Sequence, residues 1–264
     1  MKKEWWKTFF DERYLKTYAN VDIISPAATQ EQILFLIKSL RLKKGARILD
    51  LACGYGRHSI PLAKRGYQVT GIDFSGYFIR LAKKNARKEG VQVEFIKNDM
   101  RNLNFINKFD AIIHMFTSFG YFKDEKDNIL VIQKISHALK PGGKLFMDLA
   151  NPVLIFKHMI ERDTEKKQSR LATKGRIRSL SNGLQVFLKE ELDPVTMRWF
   201  IIREWNEKGK THKNYTSDIR LYSFSELKHL LEENGFRIQK VWGNFDGSPF
   251  DINSNRMLIL AQKK

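Results

Sequence analysis

From residue 46 onward, short apolar runs alternate with segments of helical character. The apolar runs predict buried strands at 47–51, 68–72, 93–97, 109–115 and 144–149. Helices are predicted between them: Ser75 is placed to cap a segment closed by Gly90, and Asp124 to cap one that ends at the 140–143 turn. Repeated strand–helix units with right-handed crossovers predict a parallel sheet.

Near the N-terminus, aromatic residues recur every four positions. This spacing predicts one face of a helix, formed by Trp6, Phe10, Tyr14 and Tyr18. A second helix is predicted to begin at Ser25 and Pro26, an N-cap followed by proline at the first helical position. The aromatic face must be covered, either by packing on the core or, through Tyr14 and Tyr18, by closing over a ligand cleft.

The later part of the chain departs from this alternation. Segments 184–191, 195–205 and 210–222 predict an antiparallel meander joined by short turns. A helix at 224–234 and strands at 237–242 and 257–262 are expected to complete the main sheet. Insertions beside strand ends often shape binding clefts.

Composition narrows the class of protein. The chain has 264 residues and a mass of 31.0 kDa, which fits one globular domain with an insertion. A single cysteine, Cys53, excludes an internal disulfide, and no metal site is predicted. The uncharged stretch 111–122 is too short to span a membrane, and charged residues interrupt any N-terminal signal sequence. We therefore expect a cytoplasmic protein that contacts no membrane.

The formal net charge of +18 raises the question of nucleic-acid binding. Residues 1–150 carry 26 basic and 15 acidic side chains, and residues 151–264 carry 21 and 14. The excess is therefore spread along the chain, which favours a lysine-rich solvated surface over a clustered nucleic-acid footprint. Nucleic acid stays a possible but less favoured partner.

The most informative segment is 47–57, RILDLACGYGR. A buried strand runs into a turn that carries Gly54 and Gly56 and then into a helix, so the backbone can approach a ligand closely. The nicotinamide fingerprint requires a third glycine where this chain has Ser59, which argues against a dehydrogenase.

Two further strand ends carry groups suited to an adenosine cofactor. Asp73 ends the second strand, where a carboxylate can accept from both ribose hydroxyls. Asn98, Asp99 and Met100 follow the third strand, where a carboxylate can accept from an adenine amine while the thioether packs on the ring. The ordered conjunction of three strand ends points to an adenosine-containing cofactor.

On these residues the chain resembles the class I S-adenosylmethionine-dependent methyltransferases over nearly its whole length. Segment 49–56 is similar to the family's first motif, Asp73 to its ribose acid, 98–100 to its adenine motif and 139–143 to its turn before the fifth strand. Segments 54–59, 117–122 and 148–151 resemble a group of small prokaryotic methyltransferases with an insertion before the last helix. Ala52 departs from the family's frequent glycine, and its methyl group should be tolerated if its φ is negative.

The resemblance implies an α/β fold: a Rossmann-like sheet of seven strands, the last antiparallel, with an inserted antiparallel β meander. As one domain, the chain divides into N-terminal helices (1–44), a cofactor-binding core (45–152), an inserted lid or substrate region (153–222) and a C-terminal helix with the last two strands (223–264). By motif position, the expected cofactor-binding residues are Asp50, Ala52, Cys53, Gly54, Gly56, Asp73, Phe74, Asp99, Met100 and Phe116. Arg57 is a further candidate, for the cofactor carboxylate.

The acceptor is less defined by the sequence. Candidate substrate-binding residues are Tyr14, Tyr18, Phe119 and Tyr121, with Trp199 and Trp205 as further possible pocket walls. His114 is a candidate base, although a lone histidine in an apolar run is more often a hydrogen-bonded core residue.

The segment after the fourth strand lacks the Pro-Pro-aromatic pattern of base-amine methyltransferases, and Cys53 lies in the cofactor turn, which excludes cytosine C5 chemistry. We expect methyl transfer to a nitrogen or oxygen atom of a small molecule. Two alternatives stay open: an RNA methyltransferase that uses the basic segment 166–178, and a non-catalytic cofactor-binding partner subunit. The oligomeric state is not predicted.

Overall fold

A computed structural model describes residues 4–18, 24–163, 170–180 and 182–264. Its strands are β1 Arg47–Leu51, β2 Gln68–Asp73, β3 Glu94–Lys97, β4 Phe109–His114, β5 Leu139–Ala150, β6 Leu171–Ala172, β7 Arg176–Ser179, β8 Gln185–Asp193, β9 Arg198–Glu207, β10 Lys210–Arg220, β11 Phe236–Trp242 and β12 Arg256–Lys263. Its helices are α1 Trp6–Phe9, α2 Glu12–Thr17, α3 Pro26–Leu40, α4 Ser59–Lys64, α5 Gly76–Lys88, α6 Glu125–Ala138, α7 Pro152–Arg162 and α8 Phe224–Glu233. No helix in these ranges is long and apolar enough to cross a membrane.

The main sheet has seven strands in the order β11-β12-β5-β4-β1-β2-β3. Strands β1 to β5 pair in parallel, whereas β12 pairs antiparallel with both β5 and β11. The predicted seven-stranded sheet with its last strand antiparallel is therefore confirmed. The carboxyl ends of β1 to β4 consequently meet along one edge of the sheet.

Side-chain caps begin the helices at the positions that the sequence predicts. Ser25 accepts from the N–H of Ala28 at the start of α3, and Ser75 accepts from Phe78 at the start of α5. Ser223 and Glu226 form a reciprocal capping box on α8. These caps satisfy backbone donors that a helix start leaves unpaired.

The N-terminal aromatic stripe lies on two short helices rather than the predicted single one. Asp11 interrupts the helix, since its carboxylate accepts from the N–H of Arg13 and caps α2. Trp6 and Phe9 are buried, and the break lets the aromatic side chains spread over the sheet edge instead of forming one straight row.

The second sheet is larger than the predicted three-stranded meander. Strands β8, β9 and β10 form it, and two short strands, β6 and β7, pair with β8. Helix α7 and both short strands were not predicted; the two strands lie in a segment rich in polar and basic side chains, whereas α7 carries the apolar run 153–156. Residues 164–169 and 181 lie outside the described ranges.

The turn expected at 140–143 is also different. Strand β5 begins at Leu139 because Leu139 pairs with Phe109, and the register shifts before Lys144 pairs with Ala111. The Pro-Gly-Gly segment is thus an irregularity inside the strand, with Gly142 at φ +73°.

Apolar packing joins the two sheets. One cluster of buried side chains includes Leu49, Ile112 and Met147 from the main sheet together with Val186 and Ile219 from the second sheet. A separate cluster on the opposite face packs α3 against the main sheet through Ile33 and Leu36. Burial of this apolar surface holds the second sheet over the carboxyl ends of the parallel strands.

Candidate functional site

A cavity lies where the carboxyl ends of β1, β2 and β4 meet. Its walls come from the segments that directly follow those strands and β3: Ala52, Cys53, Gly54, Asp73, Phe74, Met100, Met115 and Phe116. Seven of the ten predicted cofactor residues are therefore brought together on this wall. Parallel strands produce this convergence because their carboxyl ends share one edge of the sheet.

The loop after β1 has an unusual backbone. Gly54 and Gly56 have φ values of +56° and +84°, and a Cβ added to Gly54 would meet nothing within 4 Å. Open space beside Gly54 is what a closely approaching ligand requires. Ala52 has φ +59°, so the negative φ considered for this residue is wrong and its methyl group sits in a strained conformation.

Asp73 supplies the carboxylate of the cavity. Its two oxygens accept from the N–H groups of Gly54 and Ser75, each at 2.8 Å. Burial raises the pKa of Asp73 to about 6. At neutral pH the group is therefore ionised and can accept further hydrogen bonds from a diol.

Asp50 and Gly56, both predicted to bind the cofactor, are not on the cavity wall. Asp50 is 1% exposed and accepts from the Ser59 hydroxyl at 2.6 Å, which ties β1 to the start of α4. Burial raises the pKa of Asp50 to about 7. A Cβ on Gly56 would approach Ile60 and Phe95 to 3.1 Å, so this glycine allows the helix to pack. Both residues therefore stabilise the loop from the side that faces away from the cavity.

Of the predicted adenine motif, Met100 reaches the cavity and Asp99 does not. The Asp99 carboxylate pairs with Arg101 at 2.7 Å and accepts from its backbone N–H. Arg101 also pairs with Asp127 at 2.7 Å. The carboxylate is thus engaged by a neighbouring cation, which the sequence did not indicate.

Arg57 does line the cavity, as considered from the sequence. Its guanidinium donates to the side-chain oxygen Oε1 of Gln32 at 2.6 Å and to the Thr29 hydroxyl at 3.1 Å, both on α3. Burial lowers the pKa of Arg57 and raises that of the Cys53 thiol well above its usual value. Arg57 is a cation suited to a carboxylate, whereas Cys53 is a neutral wall residue at pH 7.

Aromatic side chains of the N-terminal segment cover this cavity. Trp6, Phe10 and Tyr14 contribute to its walls, and Trp6 packs edge-on against Phe74 at 4.5 Å between ring centroids. The open volume is about 100 Å³, below the roughly 300 Å³ at which ligand pockets usually begin. The lining residues have the right chemistry for a nucleoside ligand, but the covering side chains must move to admit one.

A second cavity of about 260 Å³ adjoins the first. Both are lined by the same four aromatic residues, Phe10, Tyr14, Phe116 and Tyr121, which form a partition between them. Tyr18 and Trp199 line only the second cavity. Of the predicted substrate residues, Tyr14, Tyr18 and Tyr121 are therefore present.

Phe119 and Trp205 lie away from the second cavity. Phe119 is 2% exposed and packs on Tyr222 in the core, with 5.0 Å between ring centroids. Trp205 stacks on His212 at 4.5 Å and lines a groove on the other side of α1. Phe119 does not reach the partition because it is buried in the core, and Trp205 does not reach it because of its position on β9.

His114 fits the core interpretation. It is fully buried, its Nδ1 lies 3.1 Å from the Leu51 carbonyl oxygen, and it lines neither cavity. Burial lowers the pKa of His114 to about 4, so the ring is neutral. The histidine is not positioned to take a proton from an acceptor.

The loop after β4 carries Phe116 of the aromatic partition, and the sequence did not indicate all of the residues that hold this loop. Phe116 and Thr117 have φ values of +58° and +55°, which are strained for such side chains. Asp148 accepts from the Phe116 N–H at 2.9 Å, and Arg256 donates to the Thr117 hydroxyl at 3.0 Å. The family resemblance of segment 148–151 indicated Asp148. Its partner Arg256 lies on β12, where no pattern in the sequence indicated it.

The basic segment considered for RNA contact is only partly described, since residues 164–169 lie outside the described ranges. Arg176 and Arg178, later in the same segment, line the second cavity. In the described ranges, no group of three or more histidine, cysteine or acidic side chains is arranged to hold a metal ion.

Known proteins with similar sequences are named as methyltransferases. Residues 48–143 match the model of a methyltransferase domain family. A putative methyltransferase of Bacillus subtilis, YqeM, is 29% identical over 84% of this chain and 86% of its own. A glycine/sarcosine N-methyltransferase of Halorhodospira halochloris is 27% identical over 87% and 80%.

The fold also has close structural counterparts. An S-adenosylmethionine-dependent methyltransferase from Clostridium acetobutylicum superposes with a TM-score of 0.74, at 17% identity, over 95% of this chain and 98% of that one. The sheet order is that of the same fold, and the glycine-bearing loop lies within the matched domain. Residues 48–143 are accordingly similar to a methyltransferase domain, and the two relatives, which align with most of the chain, are named as methyltransferases.

Proposed function

We propose that the protein is a class I S-adenosylmethionine-dependent methyltransferase that methylates a nitrogen or oxygen atom of a small molecule bound in the second cavity. The observation that carries this proposal is the aromatic partition: Phe10, Tyr14, Phe116 and Tyr121 line both cavities. An acceptor in the second cavity can therefore meet a donor in the first at this wall. The volume of about 260 Å³ is close to the lower end of the usual range for ligand pockets, which suits a small metabolite.

In this proposal five wall residues of the first cavity have a defined role. Asp73 accepts from the ribose hydroxyls, and the open space beside Gly54 admits the methionine part. Met100 and Phe74 pack against the adenine, and Arg57 binds the cofactor carboxylate. When bound, S-adenosylmethionine supplies a methyl group on a cationic sulfonium, which is already activated for transfer.

The protein's own contribution is then positioning. Burial raises the pKa of Tyr14 well above its usual value and also raises that of Tyr121, so both phenols are neutral donors rather than bases. Among the described wall residues of the second cavity there is no histidine. Transfer would depend on holding the acceptor's lone pair in line with the methyl–sulfur bond, which breaks as the new bond forms, and on excluding water. A proton left on the methylated atom would pass to solvent when the product is released.

One relative supports this class of acceptor, since the Halorhodospira halochloris protein is named for N-methylation of glycine and sarcosine. We assign the segment 153–222 as the substrate region because β7, β8, β9 and β10 all line the second cavity. The division of the chain at 44, 152 and 222 and the cytoplasmic location stay predictions from the sequence.

The test is to incubate the purified protein with methyl-labelled S-adenosylmethionine and a cell extract, then to separate label by size before and after ribonuclease. We expect label in small metabolites, and less of it in a parallel reaction with Asp73→Ala at a limiting cofactor concentration. Label that stays with large RNA until ribonuclease releases it would replace this proposal by the RNA alternative. Intact cofactor binding without turnover on any extract would identify a non-catalytic partner subunit.

A further inference from the structure

The second cavity is strongly basic. Four guanidinium groups line it, from Arg176 and Arg178 on β7, Arg203 on β9 and Arg256 on β12. Among its described lining residues the one carboxylate is Glu190. Arg256 is compensated, since it donates to the buried carboxylate of Asp148 at 2.6 Å. Three guanidinium groups therefore share the cavity with one carboxylate.

Strand register brings these arginines to one face. Arg176 pairs with Leu188, and Leu188 pairs in turn with Arg203, so the two arginines lie on the same side of the sheet, separated by one strand. Neighbouring strands lie about 4.8 Å apart, which puts the two backbones roughly 10 Å apart. Side chains as long as arginine can converge on one small group across that distance.

Arg203 is the decisive residue. It is 4% exposed, yet no carboxylate in the described part of the chain pairs with it. Its guanidinium donates to the Tyr18 hydroxyl and to the Ile201 carbonyl at 3.4 Å, and lies 4.5 Å from the Tyr18 ring centroid. A buried cation without an opposite charge is costly. An anion in the cavity would remove this cost.

Unpaired donors line the same cavity. The Ser217 hydroxyl and the Trp199 indole N–H are buried without a hydrogen-bond partner among the described residues. Ser217 is 2% exposed, so its own side chain is as deeply enclosed as that of Arg203. Buried polar groups usually have partners, and oxygen atoms of a bound molecule would supply them.

We propose that the methyl acceptor carries an oxyanion, a carboxylate or a phosphate, that binds to Arg203 in the second cavity. Arg176 and Arg178 add positive potential at the side of β7, and Ser217 and Trp199 donate to the acceptor's oxygen atoms. This inference rests on the proposed function and narrows its acceptor to anionic metabolites. The oxyanion binds on the sheet side, and the methylated atom lies at the aromatic partition.

The first experiment uses the wild-type enzyme and the labelled product formed from a metabolite extract. Carbodiimide coupling to an amine converts a carboxylate to an amide, and alkaline phosphatase removes a phosphate monoester. We expect one of these treatments to reduce the product's retention on an anion exchanger, which also distinguishes the two oxyanions. A labelled product altered by neither treatment overturns the anionic acceptor while leaving the proposed function intact; no labelled small product at all overturns both.

The second experiment compares Arg203→Gln and Arg203→Lys with Arg237→Gln, an exposed arginine on β11 outside both cavities. With the extract as acceptor, we expect Arg203→Gln to raise the half-saturating acceptor concentration at least tenfold, Arg203→Lys to raise it less, and Arg237→Gln to match wild type. The cofactor Kd should change less than twofold in all three. An unchanged half-saturating concentration in folded Arg203→Gln overturns the proposal. If that variant does not fold, the product treatments of the wild-type reaction decide.

Discussion

The carboxylate of Asp148 accepts a hydrogen bond from Nε of Arg256 at 2.6 Å, and this buried ion pair holds the wall between the two cavities. The other oxygen of Asp148 accepts from the N–H of Phe116 at 2.9 Å. Asp148 is fully buried, and Arg256 also donates to Thr117. One carboxylate therefore joins β5 and β12 to the strained loop that presents Phe116 to both cavities.

Replacement of the Asp148 carboxylate should strongly destabilise the folded protein. We expect Asp148→Asn to lower the free energy of unfolding by about 3 to 5 kcal/mol, because it leaves Arg256 buried without its counter-charge. Methyl transfer should also fall, because the loop at Phe116 and Thr117 loses its anchor. Urea unfolding and initial rates measure the two effects.

The matched control is Asp110→Asn on β4, whose carboxylate pairs with Lys140 at the same distance of 2.6 Å. That pair is about one-third exposed, so its loss should cost less than about 1 kcal/mol. Equal costs for the two variants would contradict the role assigned to Asp148.

Asp73 should dominate cofactor affinity. We expect Asp73→Ala to weaken binding of S-adenosylmethionine by at least about 1.5 to 3 kcal/mol, the usual value of a hydrogen bond to a charged group. Asp99→Ala should weaken it less, since the Asp99 carboxylate is engaged by Arg101 and is off the cavity wall. Titration calorimetry on both variants provides the comparison, and an unchanged affinity in Asp73→Ala would remove Asp73 from the site.

Two buried carboxylates should make the stability of the ligand-free protein fall as pH rises. Burial raises the pKa of Asp50 to about 7 and that of Asp73 to about 6, above their ordinary value of 3.8. A raised pKa means that the folded state holds the proton more tightly than the unfolded state. The associated stability is present below about pH 4 and is lost through pH 6 to 7.

Asp50→Asn isolates this effect. Between pH 4 and pH 8 the wild type should lose on the order of 4 kcal/mol more stability than the variant, from about three pKa units at about 1.4 kcal/mol each. Asp124→Asn serves as control, because this exposed N-cap of α6 functions equally well as asparagine. Parallel pH profiles of wild type and Asp50→Asn in chemical unfolding would refute the assignment.

The strained backbone at Ala52 predicts an unusual stabilising substitution. Because φ is +59° there, Ala52→Gly should relieve about 1 to 2 kcal/mol of strain, partly offset by the greater entropy of glycine in the unfolded chain. The expected net gain is about 0.5 to 1 kcal/mol. The same change at Ala86 in helix α5 should instead cost about 1 kcal/mol. Thermal unfolding of the two variants should therefore shift in opposite directions.

Most of the first cavity could be predicted from the sequence because its residues follow short strands directly. Gly54, Asp73 and Met100 each lie within a few positions of a strand end, so the order of the strands places them together. The positions of Asp50 and Asp99 could not be predicted in this way, because side-chain contacts to Ser59 and Arg101 hold their carboxylates away from the wall of the first cavity. Such contacts depend on rotamers and burial rather than on spacing.

The second cavity could not be predicted in the same way. Its arginines come from β7, β9 and β12, and its partition needs an N-terminal helix broken at Asp11. Strand β7 has no clear apolar pattern, and the alternation in β9 fixes which residues share a face but not which face turns inward.

By itself, then, the sequence determined the parallel sheet, the glycine-bearing loop and the strand-end acid, because local periodicity and motif position encode them. Only the tertiary structure decided which carboxylates reach the wall of the first cavity, that Asp148 pairs with Arg256 across 108 residues, and that Arg203 is buried beside the second cavity. Those outcomes follow from how the second sheet packs over the first. That packing is set by long-range burial of apolar surface, which no local pattern in the chain records.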